Sequence, residues 1–286
     1  MPVAVVTDTT QYLPQELLAE AGVRTVSLYV NDGDRHEREA DMPDFTAFYE
    51  RLRSADRLPT TSQPSIGDFL EVYEPLLAAG QDVVSIHISG GISGTVESAR
   101  QAAEQAVKDH PQRRVEVVDS RSTCGGMGMT VLATAAKARE GAAVDAVRAH
   151  AEDSCRHARI WFAVDTLEYL RRGGRIGTAQ AWLGGALKIK PILTLDGEIT
   201  PVERVRTSGR AFERMVEFAR TLKEDDTSVW AVQHIQAHDQ AQRLVERARE
   251  ILGSEPVAVS EIGPVIGTHV GPGLLGIGGI PRRLAA

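Results

Sequence analysis

Residues 83–99 read Val-Val-Ser-Ile-His-Ile-Ser-Gly-Gly-Ile-Ser-Gly-Thr-Val-Glu-Ser-Ala. Val83 to Ile88 is a short apolar run rich in β-branched residues, the pattern of a buried strand. Ser89, Gly90 and Gly91 break it. From Thr95 the apolar positions fall at 96, 99, 102, 103 and 106, which is helical spacing. Ile92 to Thr95 therefore sits where a strand hands over to a helix N-terminus. Backbone N–H groups left without helical partners, together with the positive dipole end, suit a carboxylate or phosphate. Ser93 adds a hydroxyl, and Gly94 lets a ligand approach the backbone closely. A Gly-Ser turn that only caps its helix is the plainer reading of the same residues.

The alternation extends outward. Strands are expected at 3–6, 23–30, 83–88 and 115–118, and helices at 13–21, 45–52, 67–79, from 95, 125–137 and 142–155. Residues 31–39 read as a polar, turn-rich connection, and 60–65 as a hydroxyl-rich loop before a helix. Strands alternating with helices imply parallel βαβ units. Near residue 155 the rhythm changes. Strands at 160–164, 189–195, 198–206, 229–234 and 257–262 accompany helices at 167–170, 211–222 and 239–252, with an Asp196-Gly197 hairpin signal between two of the strands. The fold class is thus α/β with two units. Residues 1–155 form an N-terminal three-layer α/β/α domain with a parallel sheet; residues 156–286 form a smaller α/β domain with a mixed sheet and a glycine-rich tail.

A chain of 286 residues with 42% hydrophobic and 25% charged residues has the composition of a globular protein with a well-filled core. Its net charge of −7 argues against a nucleic-acid partner, as does the absence of a basic run with interleaved aromatics. Residues 1–7 lack a basic, apolar leader pattern, and no 18 apolar residues run uninterrupted, so neither a signal peptide nor a membrane span is expected. Cys124 and Cys155 make neither a disulfide framework nor a metal site, which points to a reducing cytoplasm. Cys124 reads as a small buried hydrophobe.

Gly271-Pro-Gly273-Leu-Leu-Gly276 matches a dinucleotide fingerprint but is rejected, because only ten residues follow it, too few for the helix and strand the motif requires. No other nucleotide, zinc or hydrolase motif is present, so no cofactor is expected. Thr61-Ser62-Gln63-Pro64-Ser65 gathers hydroxyls and an amide; it reads either as an N-cap with a turn proline or as part of a site. His269, between Gly267 and Gly271, reads as a loop histidine. Arg171, Arg172 and Arg175 suit a solvated face, a carboxylate clamp or a docking patch.

Taken together, these segments resemble the DegV family of bacterial fatty-acid-binding proteins nearly end to end. The resemblance rests on Thr7-Asp8-Thr9, residues 61–65, Ile88 to Thr95, Val118-Asp-Ser120, Leu167 to Gly177, Lys190 to Leu193, and Gly267-Thr-His269 with Gly271-Pro-Gly273. The chain departs from the usual pattern at Thr9, where the family has Ser, and at Gly90, where it has a second Ser. The resemblance implies a long-chain fatty acid held between two domains, its carboxylate met by Thr61, Ser93 and His269, with Ser62, Gly94 and Thr95 beside them. Asp8, Thr9 and Arg175 would support that shell, Arg175 from behind Thr61. It further implies that the acid is presented to a separate ATP-dependent fatty acid kinase, which forms an acyl phosphate; Arg204 and Arg206 are candidates for docking that partner. Two rivals stand beside this reading. One is a lipid-sensing protein without a kinase. The other is a hydrolase with Ser93 as nucleophile, His269 as base and an orienting acid such as Asp8.

Overall fold

The computed structural model describes residues 2–42, 44–183 and 189–285; residues 1, 43, 184–188 and 286 lie outside the described residues. In the first half the elements are β1 (Val3–Asp8), α1 (Gln15–Ala21), β2 (Arg24–Val26), β3 (Tyr29–Asp32), β4 (Arg35–Arg38), α2 (Thr46–Ser54), β5 (Thr60–Ser62), α3 (Ile66–Ala78), β6 (Asp82–His87), α4 (Thr95–Asp109), β7 (Val115–Asp119), α5 (Cys124–Arg139) and α6 (Val144–His157). The second half continues with β8 (Arg159–Ala163), α7 (Glu168–Arg172), β9 (Lys190–Asp196), β10 (Glu198–Val205), α8 (Ser208–Glu224), β11 (Thr227–His234), α9 (His238–Leu252), β12 (Ala258–Glu261), α10 (Pro264–Val270) and β13 (Leu275–Pro281).

Three sheets result. A four-stranded sheet, ordered β2-β1-β6-β7, is parallel throughout. A six-stranded sheet, ordered β10-β9-β8-β13-β11-β12, is antiparallel except for the β11–β12 pair. A small antiparallel sheet, β4-β3-β5, stands apart. The mixed α/β fold expected from the alternation is therefore what the chain adopts. Helices α3 and α4 cover one face of the parallel sheet through Phe69, Tyr73, Leu77, Ala99 and Ala102. Helices α8 and α9 cover the outer face of the mixed sheet through Phe212, Met215, Leu222 and Leu244.

Helix α5 lies between the two large sheets and touches β1, β6, β11 and β13. Its sequence, Cys-Gly-Gly-Met-Gly-Met-Thr-Val-Leu-Ala-Thr-Ala-Ala, has no polar face, and residues 125–131 are all buried. A helix apolar all round is one enclosed on all sides, and the small residues let both sheets come close. Its buried hydroxyls turn inward: Thr130 and Thr134 donate to carbonyls one turn back, at 3.2 and 2.8 Å.

The structure corrects several expectations. Residues 23–30 are not one strand. β2 leaves the parallel sheet at Val26, and β3 starts in the small sheet, because Ser27 and Leu28 bond elsewhere. Leu28 N donates to Thr9 Oγ1 at 3.2 Å, and Ser27 Oγ accepts from Ala40 N at 3.0 Å. The polar stretch 31–39 is the hairpin of β3 and β4, polar because β4 is exposed along its length. The hydroxyl-rich loop begins as β5, with Thr61 opposite Val30. The glycine-rich tail contains β13, which pairs with both β8 and β11 inside the mixed sheet. His269 stands in the last turn of α10, not in a loop.

Candidate functional site

A cavity of about 960 Å³, its open mouth included, lies between the mixed sheet, the start of α5, α10 and the segments following β5 and β6. Ile160, Phe162, Leu195, Ile199, Ile262, Val265 and Leu274 make much of its wall, and Gly276 and Gly278 of β13 present no side chain to it. The walls come from both halves of the chain.

Thr61, Ser62, Ser93, Arg175 and His269 all line this cavity. Pairing of β5 with β3 positions Thr61, whose Oγ1 is 2.8 Å from His269 Nε2. Ser93 sits on the turn before α4; its Oγ is 2.8 Å from Thr95 Oγ1 and accepts from Thr95 N at 3.3 Å. Thr95 is fully buried, and Gly94 lies under the side-chain amide of Gln63. Neither Gly94 nor Thr95 faces the cavity; they shape the turn that presents Ser93. Arg175 donates from Nη1 to Gly173 O at 2.8 Å and from Nε to Ile92 O at 3.3 Å, joining the arginine-rich turn after α7 to the Ser93 turn.

The His269 pKa is pushed down to about 4, first by burial and then by the Arg175 charge, so the imidazole is neutral at physiological pH. Its Nδ1 has no hydrogen-bond partner among the described residues. Gly173 packs against that nitrogen; a Cβ there would lie 2.4 Å from it. The site thus offers hydroxyls, a neutral imidazole and one guanidinium.

Asp8 and Thr9 lie away from the cavity. Both Asp8 oxygens are occupied: Oδ1 accepts from Thr10 N and Thr10 Oγ1, and Oδ2 accepts from Ile88 N at 2.9 Å and faces His87 Nδ1 at 3.1 Å. Thr9 Oγ1 serves Leu28 N. Asp8 therefore anchors the end of β6 from which the Ser93 turn springs. It is not the orienting acid of a Ser93–His269 pair, since His87 holds it and His269 Nε2 faces Thr61. Arg204 and Arg206 are exposed, Arg204 lying 5.3 Å from the Trp182 ring, and neither lines the cavity. The Cys124 thiol lines it with a pKa pushed up to about 12 by burial, so it stays protonated.

The β9–β10 hairpin closes over the turn after β6. Ser89 Oγ donates to Gly197 O at 2.5 Å, Gly197 N donates to Arg121 O at 2.7 Å, and Arg121 pairs with Asp196 at 3.0 Å. Gly91 is required there, because a Cβ would meet Gly197 O at 2.2 Å. Gly91→Ala is expected to cost about 2 kcal/mol in urea unfolding by forcing the hairpin away. A change below about 0.5 kcal/mol would mean that the hairpin does not bear on this turn.

Against known proteins, residues 2–282 match the model of the DegV family, described as uncharacterised proteins. This chain belongs to the DegV family. A DegV domain-containing protein of Streptomyces coelicolor is 40% identical over 278 residues, covering 96% of this chain and 97% of the relative. One from Clostridium acetobutylicum is 37% identical over 281 residues, 97% of each. Among solved structures, the fatty-acid-binding DegV family protein of Thermus thermophilus superposes with a TM-score of 0.89 at 38% identity, covering 98% of this chain and all of that one. The fatty-acid-binding DegV of Bacillus subtilis superposes with a TM-score of 0.88 at 35% identity, covering 99% and 100%. Among the described residues, no helix is long and apolar enough to cross a membrane, and no cluster of His, Cys, Asp and Glu could hold a metal.

Gln63 and Gln233 also line the cavity of this DegV chain. Gln63 belongs to the hydroxyl-rich segment but has no role assigned by pattern alone. Gln233 lies inside a strand, and its only signal is an amide two positions from the inward Ala231.

Proposed function

We propose that this chain binds a long-chain fatty acid in the cavity and presents it to a separate ATP-dependent kinase for acyl phosphate formation. One observation carries the reading: a mostly apolar cavity has Thr61, Ser62, Ser93 and His269 among its lining residues, with Thr61 Oγ1 2.8 Å from His269 Nε2. The fatty-acid binding described for the Thermus and Bacillus relatives supports it. The division of labour is physical. A sixteen-carbon tail at about 0.8 kcal/mol per methylene is worth roughly 12 kcal/mol gross, before the costs of association. The tail supplies affinity, and the polar end selects and orients the head group. Buried without donors, a carboxylate would cost several kcal/mol. Hydroxyls from Thr61 and Ser93 offset that cost, His269 Nε2–H donating to Thr61 Oγ1 so that the Thr61 proton is left for the carboxylate, and Arg175 supplies charge beside them. Neutral donors hold the carboxylate without the grip of a tight Lys/Arg clamp, which favours release of the acyl phosphate. Arg204 and Arg206, both exposed, are the residues proposed to dock the kinase.

Mass spectrometry of the purified protein, native and after denaturation, should find one equivalent of a free long-chain fatty acid. An empty protein that also fails to take up added acid would sink the reading. Ser93→Ala and His269→Ala should each weaken acid binding roughly tenfold or more, the first by removing a bond to a charged group and the second by releasing the Thr61 hydroxyl that makes one, with little change in Tm. Unchanged affinity in both would move the carboxylate elsewhere in the cavity. A pull-down with the kinase of the same genome, read by ATP-dependent acyl phosphate formation, tests the second half of the proposal. Bound lipid with no kinase recovered and no acyl phosphate formed would favour a lipid sensor.

A further inference from the structure

A second cavity, of about 660 Å³ with its open mouth included, adjoins the first: Thr61, Arg175 and His269 line both. Its other charged walls are Arg57, from the segment between α2 and β5, and Arg172, the last residue of α7. Among the described residues no carboxylate lines it, in a chain that carries 39 acidic residues to 32 Lys and Arg. Nor do neighbours neutralise these arginines. Glu168, the acid of α7, is taken by Arg171 at 2.6 and 2.9 Å, and Arg172 Nη2 donates instead to the Asp56 carbonyl at 2.7 Å. Arg57 has neither a hydrogen bond nor an ion pair among the described residues. Arg175 uses Nε and Nη1 on Ile92 O and Gly173 O, which leaves Nη2 without a partner there.

Three guanidiniums around an open cavity call for an anion of more than one charge. Acyl phosphate formation supplies one, because it sets a phosphoryl group one bond from the head-group oxygen. Thr61 and Ser93 carry no charge to oppose that group, whereas a planar guanidinium meets phosphoryl oxygens in pairs. We infer that the second cavity is a phosphoryl site: Arg57, Arg172 and Arg175 hold the phosphoryl group of an acyl phosphate whose chain fills the first cavity. This rests on the fatty-acid and acyl phosphate reading above and deepens it. Arg57 and Arg172 are exposed, so water screens them and the group is held without being trapped.

The test compares two lipids on the full-length protein. One is palmitic acid; the other is the stable phosphonate in which a methylene replaces the oxygen between acyl carbonyl and phosphorus. Arg57→Gln combined with Arg172→Gln should weaken the phosphonate about five- to tenfold, the loss of two exposed charge pairs, and change palmitic acid by less than about twofold. Arg57→Gln alone, at a side chain with no partner to lose, should weaken the phosphonate about threefold, and it decides the matter if the double variant folds poorly. Unchanged affinity for the phosphonate overturns the site, as does an equal loss for both lipids. Inorganic phosphate separates the two sources of a phosphoryl group: it should displace the phosphonate only at millimolar concentration and leave palmitic acid bound. Micromolar binding of phosphate to the lipid-free protein would make this a free-phosphate site and overturn the acyl phosphate assignment. Palmitic acid binding with no effect of either variant on the phosphonate removes this site alone, whereas no binding of either lipid removes the fatty-acid reading with it.

Discussion

Asp8→Ala is expected to destabilise the protein by about 3–5 kcal/mol, although Asp8 does not line the cavity. The carboxylate, at the end of β1, is fully buried and accepts from four donors, two on Thr10 in the turn after β1 and two at the end of β6, on His87 and Ile88. The hydrogen bonds behind it run in one direction. Tyr73 OH donates to Ser85 Oγ at 2.7 Å, leaving the Ser85 proton for His87 Nε2 at 2.6 Å. His87 must then carry its proton on Nδ1, which faces Asp8. All four side chains are fully buried. Truncating Asp8 orphans two backbone N–H groups, a hydroxyl and an imidazole N–H in a place water does not reach, and each orphan bears its own desolvation cost. Tyr73→Phe removes only the outermost donor and should cost about 1 kcal/mol. Urea unfolding of the two variants measures this gradient. A loss below about 1 kcal/mol for Asp8→Ala would show that the network does not hold β1 to β6.

Glu39→Gln is expected to stabilise the protein by about 1–3 kcal/mol at pH 8 and to lose that advantage at pH 4.5. Glu39 is almost fully buried; its Oε1 accepts from Tyr12 OH at 2.9 Å and from Val265 N at 2.7 Å, at the start of α10. Burial raises its pKa from 4.5 to about 7, against the opposing effect of hydrogen bonds from Val265, Thr9 and Tyr12. Between those two values the folded chain holds a proton that the unfolded chain has released. The Glu39 contribution is therefore full below about pH 4.5 and is lost as pH rises through 7, by up to about 3 kcal/mol. Gln keeps the accepting oxygen and carries no charge, so the variant escapes the loss. His269 acts in the opposite sense: its pKa falls from 6.5 to about 4, so its contribution is present above pH 6.5 and is lost as pH falls through 4. Both groups bear on α10, and their slopes oppose each other where the windows overlap. Urea unfolding of wild type and variant at pH 4.5, 6 and 8 separates them, since other carboxylates cancel in the difference. A difference independent of pH would show that Glu39 stays ionised in the folded protein.

Much of the site is legible in the order of residues along the chain. The strand, the glycine break and the helical spacing of residues 83–106 give Ser93 its place at a helix start, and Ser93 lines the cavity. Thr61, Ser62, Arg175 and His269 come from separated segments, and all four reach the same cavity. The Asp196-Gly197 hairpin signal is met by Gly197 at φ +82°. These features are legible because periodicity, turn chemistry and helix ends are properties of neighbours along the chain.

What the sequence does not show depends on partners far along the chain. The glycine-rich tail has no strand signature, yet β13 is ordered by pairing with β8 and β11 on either side. β3 and β5 form a sheet because residues some thirty positions apart meet. Asp8 can be singled out by type, but not matched to His87 rather than His269, since which imidazole a carboxylate meets is decided by how β1 and β6 align. The amide of Gln233 becomes a feature only when Gln11, Tyr12 and Ser260 take up its N–H groups. By itself the sequence determined the α/β order of elements, the Ser93 turn and the residue types of the polar end. The tertiary structure alone decided which side chains share the cavity and which polar atoms stay unpaired, because burial and pairing arise only when distant segments exclude water together.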